Sequence, residues 1–132
     1  MPFEELAHTA DWALRVWAND LPTLFTEAAR GMNSLSGAQP AAGARLSREF
    51  KAAAPEGESL LVLFLSELVY SAEQEKLVFD TFEIELNGTE LKASMSGAPI
   101  LSINKSIKAV TYHNLQIRQT ATGLEVEIVF DV

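Results

Sequence analysis

Between residues 12 and 17 the chain alternates: Trp12, Leu14 and Val16 fall on one side of an extended backbone, Ala13, Arg15 and Trp17 on the other. A period of two marks a strand with one buried face, so a strand is expected to begin where His8-Thr9-Ala10-Asp11 ends, with Asp11 at its mouth. The period then changes. Leu21, Leu24, Phe25, Ala28, Ala29, Met32 and Leu35 recur at intervals of three and four, striping a helix with Asp20 as N-cap and Pro22 in the first turn. Gly31 interrupts this helix without ending it, and the small-residue stretch 36–44 reads as a surface loop. A shorter strand is expected over 44–52. Ser59 and its acidic neighbours then start a second helix, roughly 58–74, with Leu60, Leu61, Phe64, Leu65, Leu68 and Val69 on a wide apolar face.

From residue 77 the period returns to two. LVFDTFEIELNG and TELKASMSG flank Asn87-Gly88, the strongest short-range signal for a hairpin. SIKAVTYHNLQIRQT (106–120) and GLEVEIVFDV (123–132) form a second expected pair, with Leu124, Val126, Ile128 and Phe130 inward and Glu125, Glu127, Val129 and Asp131 on the opposite side. Strand, helix, strand, helix and a run of hairpin strands predict an α+β fold, an antiparallel sheet with hairpins packed by two helices. The 132 residues suit a single domain spanning 1–132.

Composition narrows the functional classes. The formal charge of −8 repels a phosphate backbone, which disfavours strong direct nucleic-acid binding and suits divalent cations or a partner with a basic face. There is no cysteine, so disulfide, thiolate and zinc-thiolate chemistry are excluded and a reducing interior is implied. The apolar run LLVLFL is far shorter than the ~20 residues of a membrane span, and MPFEELAHTAD carries carboxylates where a secretory signal has basic residues. No membrane association and a cytoplasmic location are therefore expected.

Asp11 and Asp131 each mark the end of an expected strand. If those strands pair antiparallel, the two carboxylates meet at one sheet edge, and the α-carboxylate of Val132 adds a third hard oxygen. Clustered carboxylates repel unless a cation or shared protons compensate, and oxygen-only ligation selects Ca²⁺, Mg²⁺ or Mn²⁺; two unrelated surface acids remain the alternative. His8 either orients Asp11, binds a metal or acts as a base, or is a hydrogen-bonded turn residue. Strict alternation puts Lys108, Val110 and Tyr112 on one face and Thr111 and His113 on the other. No catalytic triad order, phosphate-cradling glycine loop or zinc spacing is present, so spacing alone does not indicate an enzyme.

Six strings in order, FEELAHTAD, DLPTLFTEAARGM, ESLLVLFLSELVY, KLVF, IKAVTYHNLQI and the terminal VEIVFDV, resemble the archease family across essentially the whole chain. That resemblance implies an archease-like sandwich and a non-enzymatic, metal-binding cofactor protein. It implies action on an RtcB-type RNA ligase, promoting guanylylation and multiple turnover in tRNA splicing and RNA repair. The family's His-Thr-Ala-Asp motif falls on His8 to Asp11, its Lys-Ala-Val-Thr-Tyr-His motif on Lys108 to His113, and its terminal Phe-Asp-aliphatic on Phe130, Asp131 and Val132. The resemblance puts the metal-binding and activating roles mainly on Asp11 and Asp131, with Lys108 next and Glu58 a support; with the Val132 carboxylate and His8 from the residue reading, the expected metal ligands are Asp11, Asp131 and Val132, Ca²⁺ first and Mg²⁺ or Mn²⁺ as alternatives. The family commonly has a small aliphatic residue and glycine after the aspartate, whereas Trp12 and Ala13 follow here. A free-standing divalent-metal-dependent hydrolase and a general chaperone-like binding module are the competing expectations.

Overall fold

The computed structural model describes residues 2–6 and 12–132, so His8 and Asp11 lie outside the described residues. In chain order the elements are β1 (Phe3–Leu6), β2 (Trp12–Ala18), α1 (Leu21–Ser36), β3 (Gln39–Pro40), β4 (Leu46–Ala53), α2 (Gly57–Gln74), β5 (Leu77–Asn87), β6 (Glu90–Ser102), β7 (Ala109–Val110), β8 (Arg118–Thr120) and β9 (Gly123–Asp131). Two antiparallel sheets result: β1-β2-β9-β7 with β8 also on β9, and β3-β6-β4 with β5 also on β6. α1 packs against β2 and β5, and α2 against β4, β5 and β7, so the helices form a layer between the sheets.

The apolar periods account for this layering. Leu14, Val16, Val126, Ile128 and Phe130 are buried on the inner face of the first sheet, and Phe79, Leu91, Ala93 and Met95 on the second. Phe64 of α2 joins the layers. Its ring stacks on Phe25 of α1 with centroids 6.0 Å apart and meets the edge of Phe82 of β5 at 5.8 Å. Such pairs contribute about 0.5–1.5 kcal/mol beyond their buried area.

Helix α1 starts and stops as its residues dictate. The Asp20 carboxylate accepts the Thr23 N–H at 2.8 Å, Pro22 occupies the first turn, and Gly37 closes the helix at φ 70°. Gly31 has a packing reason: a Cβ there would lie 2.6 Å from Leu14 Cδ2 and 3.0 Å from Phe3 Cγ. The missing side chain lets the helix settle onto β1 and β2.

Several expectations need correction. β1 is an additional strand whose exposed Glu4 and Glu5 charge the sheet edge, as edge strands commonly are. The helices are covered by two sheets rather than one. α2 begins at Gly57 with Glu56 as N-cap and no side-chain cap bond, so Ser59 lies inside the first turn. The β5–β6 hairpin forms, yet Asn87 pairs with Glu90 and the loop is Gly88-Thr89, with Gly88 at φ 64°. Left-handed backbone at the first loop position fits a type II′ turn.

The largest departure concerns the 106–120 arm. Val110 lies opposite Phe130 and Arg118 opposite Glu125, so the chain between them is longer than the β9 stretch it accompanies and residues 111–117 loop out. Thr111 still follows the register, giving both its N–H and its hydroxyl to the Val129 carbonyl, each at 3.0 Å, and the chain leaves the sheet beyond it, where the Leu115 N–H turns back to the Tyr112 carbonyl.

Two measurements test these assignments. Asp20→Ala should lower unfolding free energy by about 1 kcal/mol at neutral pH, the usual cost of an N-cap. Hydrogen bonds from Thr23 hold the Asp20 carboxyl below its ordinary value of 3.8. The contribution is therefore present above that value and lost as pH falls through the lower folded one, and the gap between wild type and variant in urea titrations should narrow towards pH 3. Gly31→Ala sets a helix-propensity gain of about 1 kcal/mol against overpacking of about 1–3 kcal/mol. A net loss in urea midpoint is expected, and a rise would show that Leu14 and Phe3 yield freely.

Candidate functional site

The register between β2 and β9 builds the edge. Trp12 lies opposite Phe130, Leu14 opposite Ile128 and Val16 opposite Val126. All six point towards the helices, so alternation turns Asp131 to the outer side, where its residue is exposed. On its other flank Asp131 pairs with Ala109, and the Lys108 N–H donates to the Asp131 carbonyl at 2.8 Å. Val132 follows, half-buried. Asp131, Val132 and Lys108 therefore share one end of β9. Asp11, which precedes Trp12 in the sequence, lies outside the described residues.

Glu58 stands apart from Asp131, on α2 beside Arg118 of β8 and Glu127 of β9. Its carboxylate, in the first turn of α2, accepts the Ile117 N–H at 2.9 Å and ties the 111–117 loop to the helix. Lys108 instead lines a recess with Ser66, Tyr70 and Glu73 in the second half of that 18-residue helix. Tyr112 belongs to a separate groove with Glu58, Asn114 and Glu127. Lys108 precedes β7 and lines the same recess as Ala109 and Val110, whereas Tyr112 lies beyond the strand, which ends at Val110. His113 sits exposed in the turn, its N–H on the Thr111 hydroxyl at 3.2 Å.

One contributor has no sequence signal. The Lys105 ammonium stands 5.6 Å from the centroid of the Trp12 ring, a cation–π contact at the rim of the edge. Lys105 is placed by the backbone, since the N–H groups of Asn104 and Lys105 both donate to the Ser36 carbonyl at the end of α1, at 2.9 and 3.1 Å. Trp12 thus occupies the position after Asp11 with its ring partly buried and capped by a cation, rather than projecting into solvent.

Chemically, the described donors of this edge are oxygens, the Asp131 carboxylate and the backbone carbonyls around it, which is the class hard divalent cations accept. Among the described residues no group of three or more His, Asp or Glu is placed to hold a metal ion. No helix of the described residues is long and apolar enough to cross a membrane.

Comparison with known proteins agrees with this architecture. The crystal structure of an archease, described as a possible chaperone, from Thermotoga maritima superposes with a TM-score of 0.73 at 23% identity, covering 98% of this chain and 96% of that one. The solution structure of protein 1598 from Methanobacterium thermoautotrophicum gives a TM-score of 0.69 at 21% identity, with 99% of each chain covered. Among curated sequences, Protein archease of Methanosarcina acetivorans is 34% identical over 139 residues, covering 98% of this chain and 95% of the relative. Protein archease of Methanopyrus kandleri is 31% identical over 140 residues, with both chains covered completely. The Archease protein family profile matches residues 3–132, and the chain belongs to that family.

Proposed function

We propose that this protein is a non-catalytic, divalent-cation-binding partner that activates an RtcB-type RNA ligase in the cytoplasm, promoting its guanylylation and multiple turnover in tRNA splicing and RNA repair. The observation that carries the reading is the β2–β9 register, which sets Asp131 and the Lys108 backbone at one outer sheet edge next to the strand that Asp11 precedes. Family membership and the charge of −8 support it, since such a surface repels RNA yet complements a basic, metal-dependent enzyme.

In this reading Asp11 and Asp131 hold the cation, with Val132 beside Asp131, Ca²⁺ first and Mg²⁺ or Mn²⁺ as alternatives. His8 orients Asp11. Ca²⁺ takes about six to eight oxygens, so carbonyls and water complete the set and the affinity is modest. A bound divalent ion supplies positive charge that neutralises phosphate oxygens. Lys108 offsets carboxylate repulsion or reaches a phosphate on the partner, and Glu58 acts at a distance by fastening the 111–117 loop.

Ligation of an RNA bearing a 2′,3′-cyclic phosphate by the ligase of the same organism should show more turnovers per ligase when this protein is added substoichiometrically. Asp131→Ala should abolish the gain and Lys108→Ala should reduce it. Equal turnover with and without the wild-type protein would sink the assignment, and hydrolysis of a small phosphoester with no partner present would favour the metal-dependent hydrolase. Calorimetric titration with Ca²⁺ should show binding that Asp11→Ala weakens; an unchanged isotherm removes Asp11 from the site.

A further inference from the structure

Three large side chains with apolar surface stand exposed along one flank of α2. Leu63 is 40% exposed, Tyr70 56% and Tyr112, in the 111–117 loop, 59%. Leu63 and Tyr70 are two turns apart on the same face of the helix, about 10 Å along its axis. The chain from Lys108 onward runs beside this helix against its direction. Lys108, Ala109 and Val110 share a recess with Ser66, Tyr70 and Glu73, and farther along Tyr112 shares a groove with Glu56 and Glu58 at the start of α2. Leu63 falls between these two ends. One belt results, which begins beside Lys108, whose N–H bonds to the Asp131 carbonyl, and ends at the first turn of α2.

The belt is acidic. α2 carries Glu58, Glu67 and Glu73 and neither lysine nor arginine. Among the groups lining the recess and the groove, Glu56, Glu58, Glu73 and Glu127 are set against Lys108 and Arg118, and Arg118 stands 3.8 Å from a further carboxylate, that of Glu125. Two copies of this chain, each at −8, would meet here carboxylate to carboxylate, which disfavours a second copy as the occupant. Arginine suits both features of the belt: its guanidinium takes a carboxylate bidentately and stacks on the face of an exposed tyrosine. Tyrosine and arginine are also among the residues that carry most of the binding energy in protein interfaces.

We propose that this belt is the docking surface for an arginine-bearing face of the ligase, with Tyr70 and Leu63 as its anchors. The inference rests on the ligase reading and adds a division of labour to it. The belt sets the affinity for the partner, and the Asp131 edge at its end acts on the partner's site.

The test titrates this protein into the ligase of the same organism, with Ca²⁺ present, and reads turnover against concentration. Tyr70→Ala and Leu63→Ala should raise the half-saturating concentration, together by at least about tenfold, and leave the maximal turnover unchanged, whereas Asp131→Ala removes the maximum. Both positions are exposed, and either single variant that melts cooperatively serves. Glu73→Lys should also raise the half-saturating concentration, and more so at low salt. Leu101→Ala, at the end of β6, should change nothing, and an equal shift there would overturn the assignment to the belt. An unchanged half-saturating concentration in the folded Leu63 and Tyr70 variants, beside an active wild type, overturns the docking surface and leaves ligase activation standing. Loss of maximal turnover without a shift in concentration does the same, as does a wild-type dimer that these variants dissociate. A wild type that activates at no concentration overturns the ligase reading and this inference with it.

Discussion

The antiparallel pairing of β2 with β9 is the constraint on which the rest depends. It joins strands more than one hundred residues apart and lays Leu14, Val16, Val126 and Ile128 over α1 as one apolar surface. A one-residue slip would turn Val126, Ile128 and Phe130 to solvent and Asp131 into the core. With about 1.5–3 kcal/mol for each large apolar side chain buried, the core enforces this register. The outer position of Asp131 is therefore inherited from packing, and the Lys108 backbone follows because β7 pairs with the same strand.

The second sheet is held to the helices by a different chemistry. Arg48 of β4 reaches Glu75 at the end of α2 at 2.6 Å, touches the Ser71 hydroxyl at 3.3 Å and lies 5.4 Å from the centroid of the Phe79 ring. Glu75 is held below the ordinary carboxylate range by that guanidinium, whereas burial pushes neighbouring Glu67 above it. As pH falls, the favourable contribution of Glu75 is lost while the cost of the ionised Glu67 is relieved. The clamp joins the end of α2 to β4, where the Phe64 stack joins its middle to α1 and β5.

Much of this was legible in residue spacing, because burial imposes a period. The stripe from Leu21 to Leu35 gave α1 with its cap at Asp20, and Leu124, Val126, Ile128 and Phe130 gave the inner face of β9. β1 was hidden because Phe3 and Leu6 fall on opposite sides of the strand, with two glutamates between them and no alternation. Spacing reports which side of a strand is buried, not which sheet it joins, so two sheets looked like one. It is also blind to the turn that ends a ladder, as where the Leu115 N–H bonds back to the Tyr112 carbonyl. At the edge, the Asp131 and Lys108 placements follow from strand pairing, whereas Glu58 bonds to a loop whose position no pattern encodes. Lys105 reaches Trp12 through carbonyl contacts at the end of α1, which leave no trace in side-chain identity.

The looped-out stretch between Val110 and Arg118 gives β9 two independently registered neighbours on one flank. Alternation restarts at Arg118 whatever happens before it, because β8 is set by its own turn with β9. Leu115 and Ile117 pack on the core and the Ile117 N–H is held by Glu58, so the stretch is fixed by packing and by α2 rather than by strand pairing. Side-chain changes at the loop positions that line the groove with Glu58, among them Tyr112 and Asn114, therefore reshape that groove without touching either register.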